Sequence, residues 1–543
     1  MSADEKFDQI SKEMMDKFLN LNPEMATELG LHDPYDRMLS NGSTSKLVKN
    51  LELEEEWLSR LKGSVKREEL GEENRLDWEV LERVQAQSNF EFHDHRMHEL
   101  NPDAFYELGG IVFLMLSRDY APLDKRMDAI ASRLELAPKY LEQFRSRFDE
   151  SKPVRLWTEI AIETAQAVGG LFQFLLQLAK GKVSDKTYER LSNAVQILMP
   201  ELEKQLGWLN TLLPQTTENW ALGKEKFEEL LRLRDLGMTS DQILQLGEKY
   251  LKEMKEEKEQ LVQKIAPGQT AQDVIKRIEE DAPKTFEDAL AYTQKTMEEA
   301  RRFVQEKKIA TVNPEDKLLV LETPAFIAPL IPFAALMMPA KYDKPQIGIY
   351  VVTRPRDAVN LGKNLNHKSI RNTAAHEAFP GHFLQGSASN KHSAIRLLAG
   401  GTETVEGWAH YCEQLMAEKG FINDLETKLI QVNDVIWRAV RIIVDVKLSR
   451  GEMSFDEAVN MLMKEANMSK EAAVAEIRRY TQTPGYPLSY LLGKHMILEL
   501  KKELQEKMRG GFDERAFHDT LVSYGYLPLS LVRRIFSRKV KQI

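Results

Sequence analysis

One cysteine, Cys412, stands in 543 residues, so an internal disulfide is impossible and a multi-cysteine zinc finger is excluded. Any zinc would have to be held by histidine and carboxylate. The chain also lacks an apolar run approaching the roughly eighteen residues that a membrane span requires. It carries no basic excess: 75 Lys and Arg face 84 Asp and Glu, a formal net charge of −9. That balance favours solubility and speaks against a phosphate-backbone partner, which needs a basic surface, so nucleic acid is not expected. The opening residues, MSADEKFDQISKEMMDKF, are charged and amphipathic and lack the apolar core of a secretory signal, and the expected location is the cytoplasm. No internal repeat or low-complexity tract occurs, and nothing in the composition points to an oligomeric state.

What is present is helix. From residue 4 to about 265 helical patterns follow one another with short breaks; YERLSNAVQILMPELEKQLGWLNTLL, for example, repeats apolar residues every three or four positions. The run EKYLKEMKEEKEQLVQK (248–264) reads as a solvated helix laced with i,i+4 pairs. Pro267, Gly268 and Pro283 mark the expected boundary between an N-terminal helical region, 1–265, and a second region, 266–543. There the texture changes. KLLVLETP (317–324) and IGIYVVTR (347–354) are β-branched apolar runs that predict short strands. Between them AFIAPLIPFAALMMPA, with Pro329, Pro332 and Pro339, predicts an irregular apolar stretch beneath the site. Helices resume from residue 366. The expected fold is mostly α, with a small sheet beside a helix that carries the motif.

That motif is HEAFPGH, His376 to His382. Two histidines four residues apart on a helix share a face and can ligate one ion, but six steps of about 100° leave His382 pointing roughly 120° away from His376. Both can ligate only if a distortion absorbs two residues. Pro380, lacking the N–H that would bond the His376 carbonyl, and Gly381, free in its dihedrals, supply the means. The alternative is a helix that stops at Pro-Gly with His382 just past its end. A second stretch, GTETVEGWAHYCEQLMAEKG, places Glu403, Glu406, His410 and Glu413 at spacings of three, four and three along one helix face. Carboxylates on so apolar a helix need a partner if buried, and a metal is such a partner; a solvent-exposed acidic face is the other reading.

HEAFPGH and VEGWAHYCE, preceded by IPFAALMMPAKYDKPQIGIYVVTR and followed by PGYPLSYLLGK, resemble the HExxPGH-motif domain-of-unknown-function 885 family, regarded as gluzincin-like zinc metallopeptidases. The resemblance implies a largely helical, two-part protein with a cleft, comparable to carboxypeptidase Taq or oligoendopeptidases. The sheet would lie over about 317–354 and the zinc-site helices over about 370–415. It also implies that His376, His382 and Glu406 are Zn2+ ligands and Glu377 the general base. By the same analogy IGIYVVTR would be the edge strand that pairs with an extended peptide. Two departures stand out: Phe383 follows His382 where relatives usually have a second histidine, and DVKLS, with Lys447 and Ser449, replaces the D-x-G-x-H of relatives.

On this basis the expected activity is zinc-dependent hydrolysis of oligopeptides. Water activated by the metal would give its proton to Glu377, and a donor from EIRRYTQTPGYPLSYLLGKH would hold the oxyanion, Tyr490 first, then Tyr480 and Arg479. The rivals are a zinc hydrolase of a non-peptide amide or ester, and a non-catalytic helical binding protein with a structural metal site.

Overall fold

A computed structural model describes residues 1–148, 153–323, 331, 333–355, 361–508 and 510–541. Helix accounts for 73% of the chain, which settles the class as mostly α with one small sheet. The contacts divide it at Trp220 and Ala221 into two units. In the first, helices α1 (Ala3–Leu21), α2 (Thr44–Ser64), α3 (Glu72–Phe90), α4 (Leu123–Arg145), α5 (Arg155–Ala179) and α6 (Asp185–Leu212) form a helical array. The Ser184 hydroxyl caps α6 by accepting from the Thr187 N–H, and Leu191, Val195, Leu198, Leu202 and Leu209 bury one stripe of it against α4 and α5.

The second unit holds α7 (Ser240–Ile265) and α8 (Phe286–Glu306), then the sheet. After the sheet come α9 (His367–Thr373), α10 (His382–Ser389), α11 (Thr402–Glu418), α12 (Leu425–Ser449), α13 (Lys470–Gln482) and α14 (Ser489–Met508). A Thr239–Gln242 capping box starts α7, and Lys249 and Glu253 form an i,i+4 pair at 3.9 Å on its solvated side. Its apolar side packs on α12, so closely that a Cβ at Gly247 would strike Ile442. Hence α7 belongs with the second unit, and the division falls earlier in the chain than the Pro267–Gly268 segment. No helix among the described residues is long and apolar enough to cross a membrane.

Strands β1 (Lys317–Glu322) and β3 (Ile347–Val352) lie where the apolar runs predict them and pair in parallel, Lys317 opposite Ile347. A third strand, β2 (Ala334–Met337), runs antiparallel to β3, and the order is β1-β3-β2. This corrects two expectations. The stretch read as irregular contains a strand, hidden by its four-residue length and the prolines around it, although Pro329 and Pro332 lie outside the described residues. And IGIYVVTR is the central strand, not the edge. The outer side of β1 is closed by the Gln294 side chain of α8, which donates to the Leu318 carbonyl at 3.1 Å and accepts from the Val320 N–H at 2.9 Å. Among the described residues β2 therefore carries the open edge. The other side of the sheet faces the motif: a Cβ at Gly348 would strike the Phe383 ring.

Candidate metal centre

The six-residue spacing of the two histidines is absorbed by three backbone features in succession. Helix α9 widens into a π-helical turn at Ala374–Ala378, the Phe379–Pro380 peptide is cis, and the chain turns at Gly381 to start α10 at His382. His382 is thus the first residue of a new helix. A side chain at Gly381 would strike the carbonyl oxygen of His376, so glycine is needed here for space. The Trp408 indole of α11 donates to the Pro380 carbonyl at 2.9 Å and ties the turn to the next helix.

The turn brings the His376 and His382 rings to 4.9 Å between centroids at 89°, and ligand atoms of His376, His382 and Glu406 all lie within 4.8 Å of one another. His382 Nε2 is 3.4 Å from Glu406 Oε2. Ligands about 2.1 Å from a tetrahedral zinc sit about 3.4 Å apart, so the three need only close slightly around an ion. His376 and Glu406 are buried. Burial opposes the charge of Glu406, but His382 beside it, His376 and the Tyr486 hydroxyl hold its pKa down at about 2. A carboxylate kept ionised next to two imidazoles is a donor set that zinc accepts.

Further contacts orient these groups. His376 Nδ1–H donates to Glu413 Oε1 at 2.7 Å, which leaves Nε2 for the cluster. Glu413 also accepts from Arg438 Nη2 at 3.1 Å and from Asn372 Nδ2 at 3.2 Å, and against its burial the Arg438 charge and the His376 hydrogen bond help to keep it ionised. Tyr486 donates to Glu406 Oε1 at 2.5 Å, leaving Oε2 for the cluster. Helices α11 and α14 meet at Gly407 and Gly493, where a Cβ on either would strike the opposing backbone, and this approach brings the tyrosine segment to Glu406. Asp445 holds that segment by accepting from the Gly485 N–H at 2.9 Å and the Leu488 N–H at 3.0 Å. Burial raises the Asp445 carboxyl to about 6 although these N–H groups pull it down. Ser449 donates to Asp445 at 3.2 Å.

The acidic face of α11 is buried, not solvent-exposed: Glu403, Glu406, His410 and Glu413 are all inside. Only Glu406 joins the cluster. Glu403 pairs with Arg234, and among the described residues neither ring nitrogen of the fully buried His410 has a hydrogen-bond partner. Glu377 is half-buried, and its charge is felt at His382 and at the Tyr350 hydroxyl. Tyr490 stands beside the cluster, its hydroxyl 3.5 Å from that of Tyr486. Tyr480 and Arg479 are set apart from it: the Tyr480 hydroxyl donates to Glu476 at 2.5 Å and accepts from Arg441 Nε at 2.7 Å, and Arg479 bonds Glu476 at 2.9 Å. Sequence reading passed over Asp445 and Tyr486 in these positioning roles. Asp445 lies in the DVKLS stretch, and Tyr486 is the tyrosine of its segment that the order Tyr490, then Tyr480 leaves out.

Gly381→Ala tests whether the turn makes the site. The added methyl must push the turn open and move His382 from His376, at about 1–3 kcal/mol of overpacking. The expected result is a lower Tm and a loss of zinc affinity of about tenfold or more, read by thermal unfolding and competitive zinc titration. Wild-type affinity in the variant would mean that the turn does not set the spacing of the histidines.

A family model described as "Bacterial protein of unknown function (DUF885)" matches residues 23–535. No curated relative matches the chain. Two of the similar solved structures cover nearly all of the chain. One, described as a "putative lipoprotein of unknown function" from Shewanella oneidensis, is 25% identical, with 98% of this chain and 99% of that one covered and a TM-score of 0.80. The other, described as a "putative lipoprotein" from Colwellia psychrerythraea, is 17% identical over 100% of both chains, with a TM-score of 0.85. The second shows likeness of fold alone.

Proposed function

The chain belongs to the bacterial family of unknown function DUF885, and from its own site we propose that it is a gluzincin-like zinc hydrolase of peptide bonds in oligopeptides. The observation that carries the reading is the convergence of His376, His382 and Glu406 within 4.8 Å, with Glu377 next to one of the ligands. His376, His382 and Glu406 would hold a zinc, which when bound would supply an acidified water and a Lewis acid for the substrate carbonyl. Glu377 accepts the proton of the attacking water and returns it to the leaving amine. Glu413 fixes the His376 tautomer, and Tyr486 fixes the free oxygen of Glu406. An extended substrate adds to the β2 edge, open among the described residues, through backbone hydrogen bonds, which favours peptides over other amides.

Tyr490 is the favoured oxyanion donor, because among the described residues its hydroxyl has one long contact whereas that of Tyr480 is bonded on both sides. Tyr490→Phe should lower kcat by roughly 10²–10³ with little change in KM or zinc content. Tyr486→Phe frees Glu406 and should weaken zinc binding as well. Steady-state kinetics with metal analysis separates the two; near wild-type turnover in Tyr490→Phe would remove it from the role.

The test of the reading as a whole is hydrolysis of short peptides by purified protein, abolished by a chelator and restored by zinc. Bound zinc without turnover of any peptide or non-peptide amide would favour a structural metal site. A cytoplasmic location is part of the proposal, and cell fractionation tests it: the protein in the soluble fraction supports it, and the protein in the membrane fraction contradicts it.

A further inference from the structure

Beyond Tyr486 and Tyr490 lies a group of charges that the hydrolytic step does not use. Three donors converge on one oxygen of Glu476: the Tyr480 hydroxyl at 2.5 Å, Arg479 Nη2 at 2.9 Å and Arg441 Nη2 at 3.1 Å. Burial opposes the charge of Glu476, yet the two guanidinium groups hold its pKa at about 2. Two cations against one anion leave a net positive charge. Arg441 is buried and sandwiched between aromatic rings, 3.9 Å from the Trp437 centroid and 4.6 Å from that of Tyr490. Arg479 lies 5.9 Å from the Tyr486 ring, and its side chain is 39% exposed. Among the described residues Nη1 of Arg441 and Nε and Nη1 of Arg479 donate to nothing. This half-satisfied pair is one tyrosine layer away from Glu406, because Tyr486 donates to Glu406 and its ring lies beside Arg479.

We infer that Arg479, steadied by Arg441 and Glu476, binds the free C-terminal carboxylate of a peptide substrate, so that the enzyme acts at chain ends. The inference rests on the peptide-hydrolase reading. A planar guanidinium fork matches a carboxylate in charge and shape, and among the described residues Glu476 is the one acid paired with the two arginines. Extended chain advances about 3.5 Å per residue, so a terminus one or two residues past the scissile bond reaches from the cluster to these arginines. Such a clamp reads the end of the chain and leaves side-chain preference to other walls of the site.

Binding separates this inference from the hydrolytic reading. In zinc-loaded Glu377→Gln protein, trialanine should bind at least about tenfold more tightly than trialanine amide, by calorimetry. Arg479→Ala in the same background should erase that difference, and Arg479→Lys should keep part of it by keeping the charge. Ala-Ala-Asp amide should bind like the amide; binding as tight as trialanine would assign the site to side-chain carboxylates and overturn the terminal one. Equal binding of acid and amide, or an Arg479→Ala loss equal for both, also overturns it. Wild-type hydrolysis is the second readout. Acid and amide cleaved at equal kcat/KM would sink the clamp alone. No cleavage, with the binding preference intact, would sink the hydrolase alone.

Discussion

Glu377→Gln should abolish peptide hydrolysis, by about 10²–10⁴ in kcat, and leave zinc in place. The amide is nearly the same size as the carboxylate but cannot accept the proton of the attacking water. Glu377 lies outside the cluster formed by His376, His382 and Glu406, so the change removes no donor from it. It is half-buried, and the charge that acts on His382 and Tyr350 disappears without leaving a cavity. Kinetics and metal analysis on one preparation check this. Turnover and zinc lost in parallel would move Glu377 into the ligand set, and turnover retained would remove it from the mechanism.

His382→Ala and Glu406→Gln should instead lose the metal. Each removes or weakens one of three donors, and a three-ligand site does not hold zinc tightly with two. The loss in affinity should exceed the 10–100-fold typical of a supporting residue, the effect expected for Glu413→Gln, which leaves the ligands in place but frees the His376 ring. Zinc titration against a chromophoric competitor ranks the three variants. Full occupancy in His382→Ala would return the motif to a helix stop with a bystander histidine.

The parts of this site that sequence reveals are the local ones. Pro380 and Gly381 within the motif announce a distortion between the histidines, and the structure supplies one as a π-helical turn followed by a fresh helix start. The one-sided acidic face of α11 is likewise legible from spacing, but acids at helical intervals among Trp408, Ala409 and Tyr411 fit a buried or a solvent-exposed face equally in pattern, and only the packing shows it buried. Which partner goes to which acid is not legible. Glu403 takes Arg234, which is 169 positions away, and Glu406 takes Tyr486, which is 80 away; periodicity carries no information at that range. Asp445 contacts backbone N–H groups, which no side-chain pattern encodes. Strand β2 escaped because four residues with two alanines, next to prolines, are too short for alternation to register, and with it went the identity of the edge strand.

The central claim is that His376, His382 and Glu406 form a zinc site, and the metal content of the purified wild-type chain tests it most directly. Elemental analysis after exposure to a mixture of divalent metals should find about one zinc per chain, removable by chelation and recovered on adding zinc back. A wild-type protein that retains no zinc from that mixture, or a His382→Ala/Glu406→Gln double variant that retains as much zinc as wild type, would contradict it.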